Sequence, residues 1–229
     1  MITDQQALFD GREMLMVHKM LRREFALMPG LVRWVAAGDQ ERAQLISDHI
    51  TNVSVVLHHH HHSEDKDNWP LLLDRCGEEV APLVKLMESQ HEEVARLGHE
   101  VTEAVEAWRG SPGMESREAL ADALDRLIPA LKEHLRAEEE RIVPLMEQHV
   151  TAAEWDEMVE KGAAGADPES LPLAFGMMMY EGDPEVVESS IARMPAEARP
   201  VIRQVAAQAF ASYSERVHGT ATPPRSTEL

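Results

Sequence analysis

The chain has 229 residues, with 41 acidic against 22 basic side chains and a formal net charge of -19. That length suffices for one well-cored domain, or a domain with an appendage, and the charge argues against nucleic acid or an anionic membrane surface as a partner. The single cysteine, Cys76, excludes an internal disulfide and suits a reducing cytosol.

Few aromatics and abundant Ala, Leu, Val, Met and charged residues favour an all-helical protein. The opening Met1–Gln6 is polar and lacks the progression of a signal peptide, and no apolar run is long enough to span a bilayer. The expected location is therefore the cytoplasm. Thr3 and Gln6 fit a capping box that opens a first helix. Leu8, Leu15, His18, Leu21, Phe25 and Met28 recur at three-to-four spacing, which puts His18 within the apolar stripe. Met14, Met16, Met20 and Met28 read as packing, not as a copper site. Pro29-Gly30 predicts a break or kink, with helix resuming to Ala37.

Gly38-Asp39 reads as a turn and the cap of a second helix. Its inner face carries Leu45/Ile46, His49, Val53, Val56/Leu57, His60 and Glu64, and it ends or kinks before Pro70. His49 lies about 16 Å along the axis from His60, too far to act beside it, so it reads as a core group that packs the helices or supports the residues around His60. Cys76-Gly77-Glu78 marks the next turn, and Pro82 fits the first turn of a third helix. That helix has Leu83, Leu86/Met87, His91, Val94, Leu97, Val101, Val105 and Trp108 in its stripe. After the breaker Gly110-Ser111-Pro112-Gly113, a fourth helix aligns Leu124, Leu127/Ile128, Leu131, His134, Glu138, Ile142 and Leu145.

An internal repeat links the second and fourth helices. His60-His61-His62-Ser63-Glu64-Asp65 precedes Pro70-Leu71, and His134-Leu135-Arg136-Ala137-Glu138-Glu139 precedes Pro144-Leu145 at the same spacing. Within the run His58–His62, only the frame His60/Glu64 matches the second copy, His134/Glu138. Residues four apart share a helix face, so each copy sets an imidazole beside a carboxylate. His58, His59, His61 and His62 fall on other faces, part of them solvated.

Residues equidistant from a hairpin turn lie level in antiparallel helices. The midpoint of His18 and His60 is Asp39, that of Glu64 and His91 falls at Gly77, and that of His91 and His134 falls at Pro112-Gly113. All three are turn signals, so six side chains meet at one height of an up-down-up-down bundle. Two carboxylates at one buried level need compensation, because an unpaired buried charge costs several kcal/mol. Arg22 is the nearest basic residue by spacing. A metal site resolves the burial more directly: mixed His and carboxylate ligands suit iron, manganese or zinc, and six ligands favour two ions over one. The order, His first and Glu four later, speaks against the Glu-x-x-His pattern of ferritin-like sites.

A His on helix one, His-x-x-x-Glu on helix two, a His on helix three and His-x-x-x-Glu on helix four resemble the hemerythrin-like, HHE cation-binding family over about residues 5–150. The resemblance implies an antiparallel four-helix bundle around a non-haem, oxo- or hydroxo-bridged di-iron centre. By position the ligands would be His18, His60, Glu64, His91, His134 and Glu138, with both Glu residues bridging. Oxygen-carrying hemerythrins have a further His where this chain has Ala95, and an acid five after the helix-four His, where this chain has Glu139. That shifts the expectation from reversible oxygen carriage to dioxygen, peroxide or nitric oxide chemistry in redox sensing or scavenging, catalase-like turnover included. The alternative is a non-catalytic metal-binding or iron-sensing module. A water or a tyrosine would fill the place of the absent imidazole.

Residues 151–229 read as a helical extension of a domain spanning 1–150. Thr151 and Glu154 form a capping box for a short helix through Glu160. Gly162 to Pro168 is a linker, and helical patterns resume at Leu171–Tyr180, after Asp183-Pro184, and from Ala196 to Val217. The run Phe175–Tyr180 is expected to pack on the bundle over a mouth of the site, with Tyr180 or Tyr213 as a candidate redox residue. His99, His149 and His218 are expected at the surface, and Gly219–Leu229 as a loose tail.

Overall fold

The computed structural model describes residues 7–163 and 167–229, all-helical but for one isolated bridge pair, Leu8 with Thr151. Ten α-helices are found among the described residues: α1 Arg12–Arg33, α2 Gln40–Ser63, α3 Trp69–Cys76, α4 Ala81–Gly110, α5 Met114–Arg141, α6 Val143–His149, α7 Ala152–Ala163, α8 Leu171–Met179, α9 Pro184–Arg193 and α10 Ile202–His218. None is long and apolar enough to cross a membrane. The chain divides into two compact units: the first holds Met1–Gly11 and Leu27–Ala164, the second Arg12–Ala26 and Gly165–Leu229.

In the first unit, α2 and α4 pack side by side, as do α4 and α5. Gln40 bonds to the carbonyl of Arg109 near one end of the α2/α4 pair, and Asp65 reaches His91 near the other, so the two run antiparallel. Glu100 pairs with Arg126 and His91 with His134, so α4 and α5 are antiparallel as well. Each helix buries one stripe, as its periodicity requires. On α4 the stripe is Val84, Met87, His91, Val94, Leu97, Val101, Val105 and Trp108. Val84 takes the place expected of Leu83, and Leu86 is exposed. On α5 it runs through Leu124, Leu127, Leu131, His134 and Glu138.

The turns follow their local chemistry. Asp39 accepts a hydrogen bond from the Arg42 amide at the start of α2, the predicted cap. Gly77 has φ +67°, a left-handed conformation that side chains with a Cβ adopt only under strain. Between α2 and α3, residues Glu64–Asn68 form one π-helical turn, which carries the helix to Pro70 without a break. Thr151 and Glu154 form the reciprocal cap of α7: the Thr151 amide donates to Glu154 Oε2 at 2.9 Å, and the Glu154 amide to Thr151 Oγ1 at 3.3 Å.

The first helix differs from expectation at both ends. Thr3 and Gln6 lie outside the described residues. Leu8 is exposed and sits in extended backbone before α1, whose first residue is Arg12. At the other end α1 runs through Pro29 to Arg33. A helical proline forfeits one hydrogen bond, and here the surrounding side chains Met28 and Val32 are fully buried, so packing outweighs that loss.

The second unit has its own core, in which Met16, Phe175, Val186, Val187, Ile191 and Ala206 pack together. A Cβ at Gly176 would stand 2.2 Å from the Ala206 carbonyl oxygen, so α8 and α10 approach closely only because that residue is glycine. Phe175 and Met177 of the apolar run are buried within this unit. Arg23, fully buried, reaches Glu24 at 2.7 Å, Glu181 at 2.7 Å and the Met177 carbonyl at 2.9 Å. Two expectations fail here for one reason, partners distant in sequence. His218 is not a surface residue, since its Nε2 lies 3.1 Å from Glu24 Oε2 with the side chain buried. The tail is not loose either: Glu181 Oε2 accepts from the Ser226 amide at 2.8 Å and from its hydroxyl at 2.6 Å, and the Tyr180 hydroxyl donates to the Pro223 carbonyl at 2.8 Å.

Candidate metal centre

Within the first unit the end of α2 with the π-helical turn after it, the first half of α4 and the last turns of α5 converge on a buried polar group. His91, His134, Glu64 and Glu138 are all buried, and the side chain of His60 nearly so. His61, Glu64, His91 and His134 each offer a donor atom, all within 4.8 Å of one another, and so do His60, Glu64 and Glu138. Glu64 belongs to both sets. Its Oε1 faces His60 Nε2 at 3.3 Å, while its Oε2 faces His91 Nε2 at 3.5 Å. His18 is fully buried on α1, in the segment assigned to the second unit.

His61 is the residue that the repeat misplaced. It is buried, stacks on His91 at 4.1 Å between centroids and meets His134 edge-on at 4.7 Å. The two copies of the repeat share only the pair four apart. Three-apart pairs also share a face: with about 100° per residue, Glu64 falls between His60 and His61, about 40° from one and 60° from the other. His58, His59 and His62 are exposed, as expected.

The imidazoles are aimed by contacts that sequence did not reveal. His91 Nδ1 lies 2.7 Å from Asp65 Oδ1, which also accepts the Trp69 indole N–H at 2.9 Å. With Nδ1 engaged, Nε2 points inward. His134 Nδ1 faces Gln90 Oε1 at 3.4 Å. A partner on the far ring nitrogen fixes tautomer and ring angle, the usual support of a metal-binding imidazole. Asp65 had a visible signal, its place four residues after His61. Gln90 had none.

The donor set fits a cation. His91 Nε2 and His134 Nε2 stand 3.2 Å apart. Two nitrogens bound at about 2.1 Å to one ion are separated by about 3.0 Å at right angles and 3.4 Å at the tetrahedral angle. Neither oxygen of Glu64 makes a hydrogen bond among the described residues, although both are buried. Burial first, and then the neighbouring charge of Glu138, push its carboxyl well above the ordinary range. A bound cation reverses both effects, since it supplies the missing partner and offsets the paired negative charge.

A family model described as the hemerythrin HHE cation-binding domain matches residues 12–146, and a second match covers 83–163. The chain belongs to the hemerythrin family. No curated protein and no solved structure matches it. Hemerythrin HHE domains bind cations, which agrees with the His and Glu groups gathered on α2, α4 and α5.

Proposed function

We propose that this hemerythrin-family protein holds a pair of bridged non-haem iron ions and reacts with dioxygen, peroxide or nitric oxide in redox sensing or scavenging, with catalase-like turnover as one form of that activity. Within the first unit its ligands are His60, Glu64, His91, His134 and Glu138, in keeping with a four-helix bundle. The carrying observation is the split of Glu64, whose two oxygens face different imidazoles at 3.3 and 3.5 Å, as a carboxylate spanning two ions requires. Iron supplies one-electron chemistry and open positions for small oxygen or nitrogen ligands; manganese or zinc suits the same donors. His91 is held by Asp65, and His134 by Gln90, so the ligand atoms are positioned before the cations arrive. Burial of the acids keeps bulk water from competing for them.

A second reading rests on His61. Three imidazoles with Glu64 within 4.8 Å also make a closed four-ligand set for one tetrahedral dication, which would serve a non-catalytic metal-binding or iron-sensing module. Visible spectra of the iron-reconstituted protein before and after peroxide, with oxygen evolution measured alongside, separate the two. Oxo-bridge charge-transfer bands and oxygen release support the di-iron reading. Tight binding of a single zinc with no such band and no turnover overturns it.

A further inference from the structure

Trp69, the first residue of α3, is joined to the buried group through Asp65. Its indole N–H donates to Asp65 Oδ1 at 2.9 Å, and the same oxygen lies 2.7 Å from His91 Nδ1. The indole also faces His91 directly, with ring centroids 5.9 Å apart and planes inclined by 29°. Trp69 is 1% exposed, whereas the side chain of Asp65 is 43% exposed. A buried indole N–H needs an acceptor, and any carbonyl would serve. A carboxylate does more, because it is a base. It takes the N–H proton as the ring gives up an electron, which avoids leaving an uncompensated cation in an apolar interior. The exposed face of Asp65 then offers that proton a way out to water.

We propose that Trp69 is a one-electron donor to the cation centre through His91, with Asp65 as the acceptor of its proton. The role rests on the reading of a redox-active iron pair held in part by His91. Hydrogen peroxide takes up two electrons and two protons as its O–O bond breaks, giving two molecules of water. One electron comes from the ferrous member of a mixed-valence iron pair, and the two protons come from water. Trp69 gives the other electron. Its Nε1–H bond breaks, the proton moves to Asp65 Oδ1, and a neutral indolyl radical remains. A one-electron reductant of the ascorbate class restores the ring, the proton returning from Asp65.

The test mixes the iron-loaded, one-electron-reduced full chain with hydrogen peroxide and freezes it within milliseconds for electron spin resonance, with ordinary or ring-deuterated tryptophan. A radical signal that narrows on deuteration is expected. It should be lost in Trp69→Phe and kept in Trp108→Phe, an equally buried tryptophan about 25 Å along α4 from His91. Iron content and charge-transfer bands should be the same in all three proteins, so that loss of the signal reports on the donor and not on the centre. Peptide mass spectrometry of the unaltered chain, after repeated peroxide without reductant, should place the oxygenated tryptophan at position 69 in iron-loaded but not in iron-free protein. Intact iron bands without a tryptophan radical, a signal that survives in Trp69→Phe, or oxidation spread evenly over the four tryptophans overturns the donor role and leaves the iron pair standing. Absence of the iron bands themselves overturns the iron-pair reading, and the donor role with it.

Discussion

His91 and His134, from neighbouring antiparallel helices, bring their Nε2 atoms to 3.2 Å of each other. Two neutral ring nitrogens gain at most one hydrogen bond from such an approach, whereas a cation between them binds both. The fixed far sides of both rings explain why they meet at that angle: Asp65 holds one and Gln90 stands at the other.

Asp65 is therefore expected to tune cation affinity without being a ligand. Its side chain is 43% exposed, so its loss leaves little strain. Asp65→Ala should weaken cation binding by about 10- to 100-fold, with Asp65→Asn in between because its amide oxygen still accepts from His91. Competition against a chromophoric chelator reads this directly. Equal affinities in all three proteins would mean that His91 needs no orienting partner.

The cation-free protein should lose stability as pH rises. Glu64 has its carboxyl held well above the ordinary 4.5, chiefly by burial and then by Glu138. Between 4.5 and that raised value the folded chain binds more protons than the unfolded one, so the unfolding free energy falls with increasing pH through the window. Glu64→Gln should flatten this slope, stabilise the cation-free chain at neutral pH and weaken cation binding. Urea unfolding across the window, with and without chelator, measures all three effects. A pH-independent midpoint in the cation-free protein would contradict the assignment.

Glu154 should behave in the opposite sense. Its hydrogen bonds with Arg75 and with Thr151 bring its pKa to about 2. Its stabilising contribution is complete above the unfolded value of 4.5 and is lost as pH falls toward 2. Thr151→Ala removes the N-terminal cap of α7 and should cost about 0.5 to 2 kcal/mol. Thermal unfolding at neutral and acid pH checks both, and an acid sensitivity unchanged in Glu154→Gln would count against this pair.

Much of the first unit was legible because it obeys local rules. Asp39 caps, Gly77 turns, and the stripes on α4 and α5 recur every three to four residues. Midpoint counting even paired His91 with His134 across a turn. What escaped has a different physical origin. A π-helical turn at Glu64–Asn68 leaves no mark in periodicity, and His61 was lost because the two copies of the repeat share only the pair four apart. His218 and the tail depend on Glu24 and Glu181, acids 194 and 45 positions away from His218 and Ser226, which no local pattern reveals.

The tie at Glu181 yields its own expectation. Glu181→Ala takes one of two carboxylates from fully buried Arg23 and both acceptor contacts from Ser226. Removing one partner of a buried ionic pair costs about 3 to 5 kcal/mol. Hydrogen exchange should show the Ser226 amide losing protection in this variant, with α4 and α5 unchanged. Retained protection at Ser226 would show that other contacts hold the terminus.

The most direct measurement is a crystal structure of the iron-loaded protein with anomalous scattering collected at the iron edge. A pair of peaks is predicted, one within bonding distance of His91 and His134, the other of His60 and Glu138, with Glu64 between them. A lone peak centred among His61, His91, His134 and Glu64, or iron found away from these side chains, would contradict the two-ion centre.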